Sequence, residues 1–281
     1  MIERQIGISE FSEPEQPILS PEDQQVIEFG LHALQEWLQK KKNEELPTCV
    51  IFLETSARPF YAAVAPILKS LYSSRDLPSP SYHFLVTPPR DSDARAVEWR
   101  EAQAQRLQEV IGSARPGNIL MVDDFLFHGE TISQINTLKP LVCPGVKLDF
   151  FVFFDTENRH KTMPGVVAGV CQDDLQSYDV IRKITWKKEL SNFTGFRFTS
   201  KGVFPRHEGV AAIGQRGKEA VIGVREQENP SKKTERSPDA NQGKIQQIRA
   251  EMSAIAEKVL SDTQWNKADA ISKLEAEHIE F

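Results

Sequence analysis

Residues 119–135, ILMVDDFLFHGETISQI, constrain this chain more than any other stretch. Ile119, Leu120, Met121 and Val122 make an apolar run of strand length, as suits a strand buried on both faces of a parallel sheet. Two adjacent acids, Asp123 and Asp124, stand at its end. His128, Gly129, Glu130 and Thr131 then open a segment with helical spacing at Ile132, Ile135 and Leu138. A strand that runs through a loop into a helix start offers free backbone N–H groups, which suit a phosphate. Carboxylates set just ahead of that point suit sugar hydroxyls or a metal. Together they fit a sugar phosphate.

The flanking pattern predicts the setting. Ser20-Pro21-Glu22-Asp23 reads as a helix start, with a hydroxyl cap, proline at the first position and acids in the first turn. Val26, Ile27, Leu31, Leu34 and Leu38 continue it at helical spacing, giving an amphipathic helix over 21–42. The run CVIFL from Cys49 predicts a buried strand, 57–72 a helix with a kink at Pro66, and 82–86 a short strand among prolines. A helix over 94–111, a strand over 118–122, a helix over 130–139 and a strand over 147–154 follow. Strands alternating with helices predict an α/β fold with a doubly wound, mainly parallel sheet and a C-terminal helical tail. In such sheets ligands sit beyond the carboxyl ends of the strands, where Glu54, Asp123, Asp124 and Asp155 should gather.

Five segments are expected. Residues 1–19 form an arm, 20–160 the core, and 161–225 the rest of the core with a cap region containing a strand-like piece at 180–184. Residues 226–243, nearly devoid of apolar side chains, read as a flexible linker. Residues 244–281 form a helical tail. Its stripe Ile245, Ile248, Met252, Ile255 and Val259, with Trp265, Ala268, Ile271 and Leu274 beyond, should dock on the body, or else on a second copy or partner protein.

The net charge of −6 argues against a general attraction to nucleic acid or anionic membrane. Cys49, Cys143 and Cys171 are odd in number and form no CxxC, as for reduced, mostly buried thiols. No run of eighteen apolar residues and no basic-then-apolar leader occurs, so a cytoplasmic protein is expected.

The segment ILMVDDFLFHGETI resembles the binding motif for phosphoribosyl diphosphate (PRPP) of the type I phosphoribosyltransferases. The resemblance spans roughly residues 45–160. It implies that Asp123 and Asp124 hold the ribose hydroxyls and are the catalytic acids, and that Phe127, His128, Gly129, Glu130 and Thr131 form the 5′-phosphate loop. Thr55, Ser56, Ala57 and Arg58, after the first strand, match the diphosphate loop, with the Arg58 fork suited to phosphate oxygens. His128 stands where the family has a small hydroxyl residue, and Pro59 where it often has glycine. Asp155, which follows a late strand, takes the place of an acceptor contact or else caps its own loop, and the Pro-rich 87–95, with Arg90 and Arg95, takes that of a lid. The implied activity is transfer of the phosphoribosyl group from Mg²⁺-PRPP to a nitrogen nucleophile with release of diphosphate. The metal would be held mainly by substrate and water, and the acceptor is unspecified.

Two other readings of function stay open. The same pocket could sense PRPP or a nucleotide without catalysis, which His128 and Pro59 would suit. Residues 193–207, FTGFRFTSKGVFPRH, interleave aromatics with Arg197, Lys201, Arg206 and His207, a pattern that could bind single-stranded nucleic acid, cap the site, or simply form an amphipathic strand pair. A response-regulator receiver would carry its acid pair on the first strand. A zinc deaminase would need a P-C-x-x-C that the chain lacks.

Overall fold

The computed structural model describes residues 17, 19, 21–53, 60–85, 117–126, 129–142, 145–155, 157–174, 196–199, 202–205 and 238–279, with helical residues 101, 104, 105, 107–109, 111 and 112. Five strands form one parallel sheet: β1 (Cys49–Leu53), β2 (Ser81–Leu85), β3 (Asn118–Leu126), β4 (Lys147–Asp155) and β5 (Val166–Cys171). Their order is β2-β1-β3-β4-β5. Continuous apolar runs make this sheet because both its faces are covered. All five residues of β1 and eight of the nine in β4 are buried.

The pleat divides those side chains between two layers. Val50, Phe52, Leu120, Val122, Phe151 and Phe153 face one core with α1 (Pro21–Gln39), α2 (Tyr61–Ser74) and α4 (Pro238–Ser261). Ile51, Leu53, Ile119, Met121, Phe150 and Val152 face the other, with Leu107, Ile111 and the residues Ile132 and Ile135 of α3 (Glu130–Val142). Helices on both faces make the sheet doubly wound, as the alternation of elements predicts.

The predicted apolar stripe of α1 is buried throughout. The helix ends at Gln39, three residues before the expected 42. Arg75, at the end of α2, stops it by donating to the carbonyls of Gln39 at 2.9 Å and Lys41 at 2.8 Å. Helix α2 begins at Tyr61 and runs through Pro66 to Ser74. In the tail, Ile248, Met252, Ile255 and Val259 of α4 are buried, and the helix packs on α2 and α1. Its stripe is therefore spent on the protein's own body rather than offered to a partner. Helix α5 (Lys267–Ile279) follows, with Trp265 edge-on to Phe29 of α1 at 5.5 Å between ring centroids.

Three further boundaries differ from expectation. The linker was expected to reach 243, but α4 begins at Pro238, because Pro238-Asp239 supplies the same start signal as Pro21-Glu22. Leu19, placed in the arm, belongs to the core: it is fully buried, and its N–H donates to Glu251 at 2.8 Å. The third strand was expected to stop at 122, yet β3 continues through both acids to Leu126. The nine-residue β4 carries the ladder onward, pairing Phe125 with Phe154 and Leu126 with Asp155. The aromatic stretch forms a two-stranded antiparallel ribbon, β6 (Phe196–Thr199) and β7 (Gly202–Pro205), with β7 beside α4. The strand-like piece at 180–184, most of the expected linker and the expected lid lie outside the described residues.

Candidate functional site

The strand order places a switch point between β1 and β3. From β1 the chain turns to α2 on one face, and from β3 to α3 on the other. Loops that leave adjacent parallel strands for opposite faces open a crevice at the strands' carboxyl ends. The β1–β3 register runs from Cys49 with Ile119 to Phe52 with Val122, so Asp123 stands level with Leu53, the last residue of β1, and Asp124 is the first residue of β3 past it.

Because they lie within a strand, the two acids do not share one environment. Asp124 is 3% exposed, whereas Asp123 is half-buried. Asp123 Oδ1 accepts the backbone N–H of Asp124 at 2.9 Å, which fixes the carboxylate against the strand. Six residues past Asp124 the chain enters α3. Gly129 has φ +74°, the left-handed region that favours glycine, and its carbonyl accepts Ser133 N–H at 2.9 Å as the first turn closes. Thr131, in that turn, is half-buried. Glu130 begins the helix.

Gly129 is itself buried, and the thioether of Met163 covers its Cα. That face of the junction is closed by the protein's own side chain. Phe127, His128, Thr55, Ser56, Ala57, Arg58, Arg90 and Arg95 lie outside the described residues, as do Glu54 and Pro59. The structure therefore brings Asp123, Asp124, Gly129 and Thr131 to one strand–helix junction.

Asp155 has the geometry of the loop cap, one of the two roles open to it in the sequence. Its side chain is fully buried at the end of β4 and already accepts four hydrogen bonds. Oδ1 takes the N–H groups of Glu157 and Arg159, both at 3.1 Å. Oδ2 takes the N–H of His160 at 2.7 Å and faces its Nδ1 at 2.6 Å. A carboxylate so engaged shapes the turn Arg159–Thr162. His160 is the residue that sequence reasoning missed. The only local signal is an acid closing a strand with a histidine five positions on, and the turn that joins them is invisible until the backbone bonds are seen.

The neighbouring exit of β5 is tied to this turn. Asn158, itself left-handed at φ 55°, exchanges hydrogen bonds with Asp173, and Lys161 pairs with the same carboxylate. The Cys171 thiol is pushed up to about 11 by burial and by donating to Asp174 at 3.1 Å. Among the described residues no three His, Cys, Asp or Glu side chains converge as a metal-binding set. No described helix is long and apolar enough to cross a membrane. No protein-family model matches the chain, and no curated protein matches it either.

Proposed function

We propose that this protein binds PRPP at the β3–α3 junction and transfers its phosphoribosyl group to a nitrogen nucleophile, releasing diphosphate. One observation carries the reading: a left-handed glycine opens a helix directly after a strand whose acids stand at the end of the neighbouring strand, at a switch point of a parallel sheet.

The 5′-phosphate would lie against the first amides of α3, where unpaired N–H groups and the helix dipole favour an anion. Asp123, the more exposed acid, would hold ribose hydroxyls, and Asp124 would fix the strand end from the buried side. Arg58 would meet the diphosphate. The oxygen donors Asp123 and Asp124 suit a hard ion held through water, and Mg²⁺ would neutralise charge on the diphosphate. Glycosyl transfer of this kind passes through a loose, cation-like sugar, so position and charge do the work and no covalent intermediate is needed.

A second reading has its own observation. Met163 occupies the space over Gly129, so a ligand that displaced it would move the turn at Arg159–Thr162. A PRPP sensor needs such a coupled element, and a methionine is flexible enough to supply it.

Calorimetry with PRPP and Mg²⁺, followed by a diphosphate-release screen over nucleobases and amines, tests both readings. Binding with release for one acceptor supports transfer. Binding without release for any acceptor selects the sensor. Absence of binding removes both.

A further inference from the structure

We infer that His160 takes the proton from the attacking nucleophile, and that this nucleophile is a neutral N–H compound bound over the carboxyl ends of β4 and β5. The inference deepens the proposed transfer reaction and rests on it. Asp155 faces Nδ1 of His160 at 2.6 Å and is itself pinned by three backbone N–H groups, so the imidazole is fixed in orientation. The carboxylate is fully buried. A buried carboxylate at Nδ1 keeps the proton on that nitrogen and leaves Nε2 as the acceptor. Among the described residues Nε2 has no hydrogen-bond partner, and it is not one of their sealed polar atoms, so it can meet a ligand.

The dyad also stands in the right place. Asp155 is in register with Leu126, two residues along β3 from Asp124, so it lies within about 10 Å of the acid pair. Met163, whose side chain covers Gly129, donates its N–H to the carbonyl of His160 at 3.3 Å. One short turn thus joins the imidazole to the phosphate end of the junction.

Charge selects the acceptor. Each described cation at this rim already has an acid: Lys161 pairs with Asp173, Arg159 with Glu157 at 2.8 Å, and Lys267 with Asp174 at 2.7 Å. An acceptor carboxylate would find acids and no spare cation among these residues, whereas a neutral N–H group finds a base. In the step, the acceptor nitrogen's electron pair forms the bond to the anomeric carbon. The C–O bond to diphosphate breaks, its electron pair leaving with the diphosphate. The N–H proton passes to Nε2, and the imidazolium formed is balanced by Asp155.

The test uses the full chain, PRPP with Mg²⁺, neutral acceptors (adenine, hypoxanthine, uracil) and anionic ones (orotate, nicotinate). Diphosphate release is expected with a neutral acceptor. His160→Asn, whose amide can still donate to Asp155, should lower kcat by about a hundredfold. The loss should fall on kcat alone, with the KM for PRPP, PRPP affinity and the unfolding midpoint unchanged. Equal turnover in His160→Asn, or release with anionic acceptors alone, overturns the role of His160 and leaves the transfer reading standing. PRPP binding without release from any acceptor overturns it too, and leaves the sensor. If the wild-type chain does not bind PRPP, the reading and the inference fall together.

Discussion

Met163 and Gly129 are in mutual contact: a Cβ built on the glycine would sit 2.8 Å from Sδ and 2.9 Å from Cε. Gly129 also has φ +74°, so a side chain there is strained before any contact is counted. Gly129→Ala should destabilise the fold by about 1–3 kcal/mol. Part of that cost is the thioether. Met163→Ala should therefore recover some of it, giving a favourable coupling energy in a double-mutant cycle read by urea denaturation. If Met163 also screens the phosphate site, Met163→Ala alone should tighten PRPP binding in calorimetry, and weaker binding would argue that the thioether supports the site.

The acids of β3 make a separate prediction. Asp123→Asn keeps an oxygen that can accept the N–H of Asp124, so the strand should survive and circular dichroism should not change. The charge facing the sugar would be lost. Turnover with PRPP should fall at least about a hundredfold, equivalent to about 2.7 kcal/mol of barrier, and the same is expected of Asp124→Asn. Unchanged turnover in both would remove the acid pair from the mechanism.

Much of this architecture is legible in local patterns. The stripe of α1 and the 3-4 spacing of α4 each record one buried face, and the runs CVIFL and LDFFVFFD record burial on both faces of the sheet. The extension of β3 is not legible, because two acids read as a strand end; only pairing with β4, a property of another segment, keeps them in the ladder. The early start of α4 is present in Pro238-Asp239 but hidden by a polar composition that resembles a linker. The Asp155–His160 dyad depends on three backbone N–H groups folding over one carboxylate, and no residue pattern specifies that turn.

His32 of α1 gives a pH prediction. It is 3% exposed and stacks on Trp265 at 4.6 Å between ring centroids. Burial lowers its pKa below the ordinary 6.5, and Lys258 adds to this; Asp262, with Oδ2 3.7 Å from Nε2, and Glu28 and Glu36 pull the other way. The unfolded chain therefore binds this proton more readily than the folded one. The corresponding stability is complete above pH 6.5 and is lost as pH falls through the folded value. His83 of β2, also lowered by burial, acts in the same direction. Urea midpoints should drop as pH falls from about 6.5 to about 5. His32→Phe, which can keep the stack, should reduce that drop without abolishing it. An identical pH dependence in the variant would show that the docking of α5 on α1 does not depend on a neutral imidazole.

Gly30 of α1 and Gly169 of β5 meet backbone to backbone. A Cβ on Gly169 would stand 2.7 Å from Gly30 Cα and 2.9 Å from the carbonyl oxygen of Phe153, atoms that cannot step aside without moving a helix or a strand. A Cβ on Gly30 would collide with Cδ1 of Phe153. That ring is held by Phe60 at 4.1 Å and Phe151 at 5.3 Å between centroids, so it has little room to turn. Alanine at either position should force α1 off the sheet and cost about 1–3 kcal/mol. The two costs should not add, because once one alanine has lifted the helix the second meets less resistance. Urea denaturation of the two single variants and the double variant measures this. A double variant as costly as the sum of the singles would mean that each glycine is relieved by a separate local shift, and that α1 keeps its distance from β5.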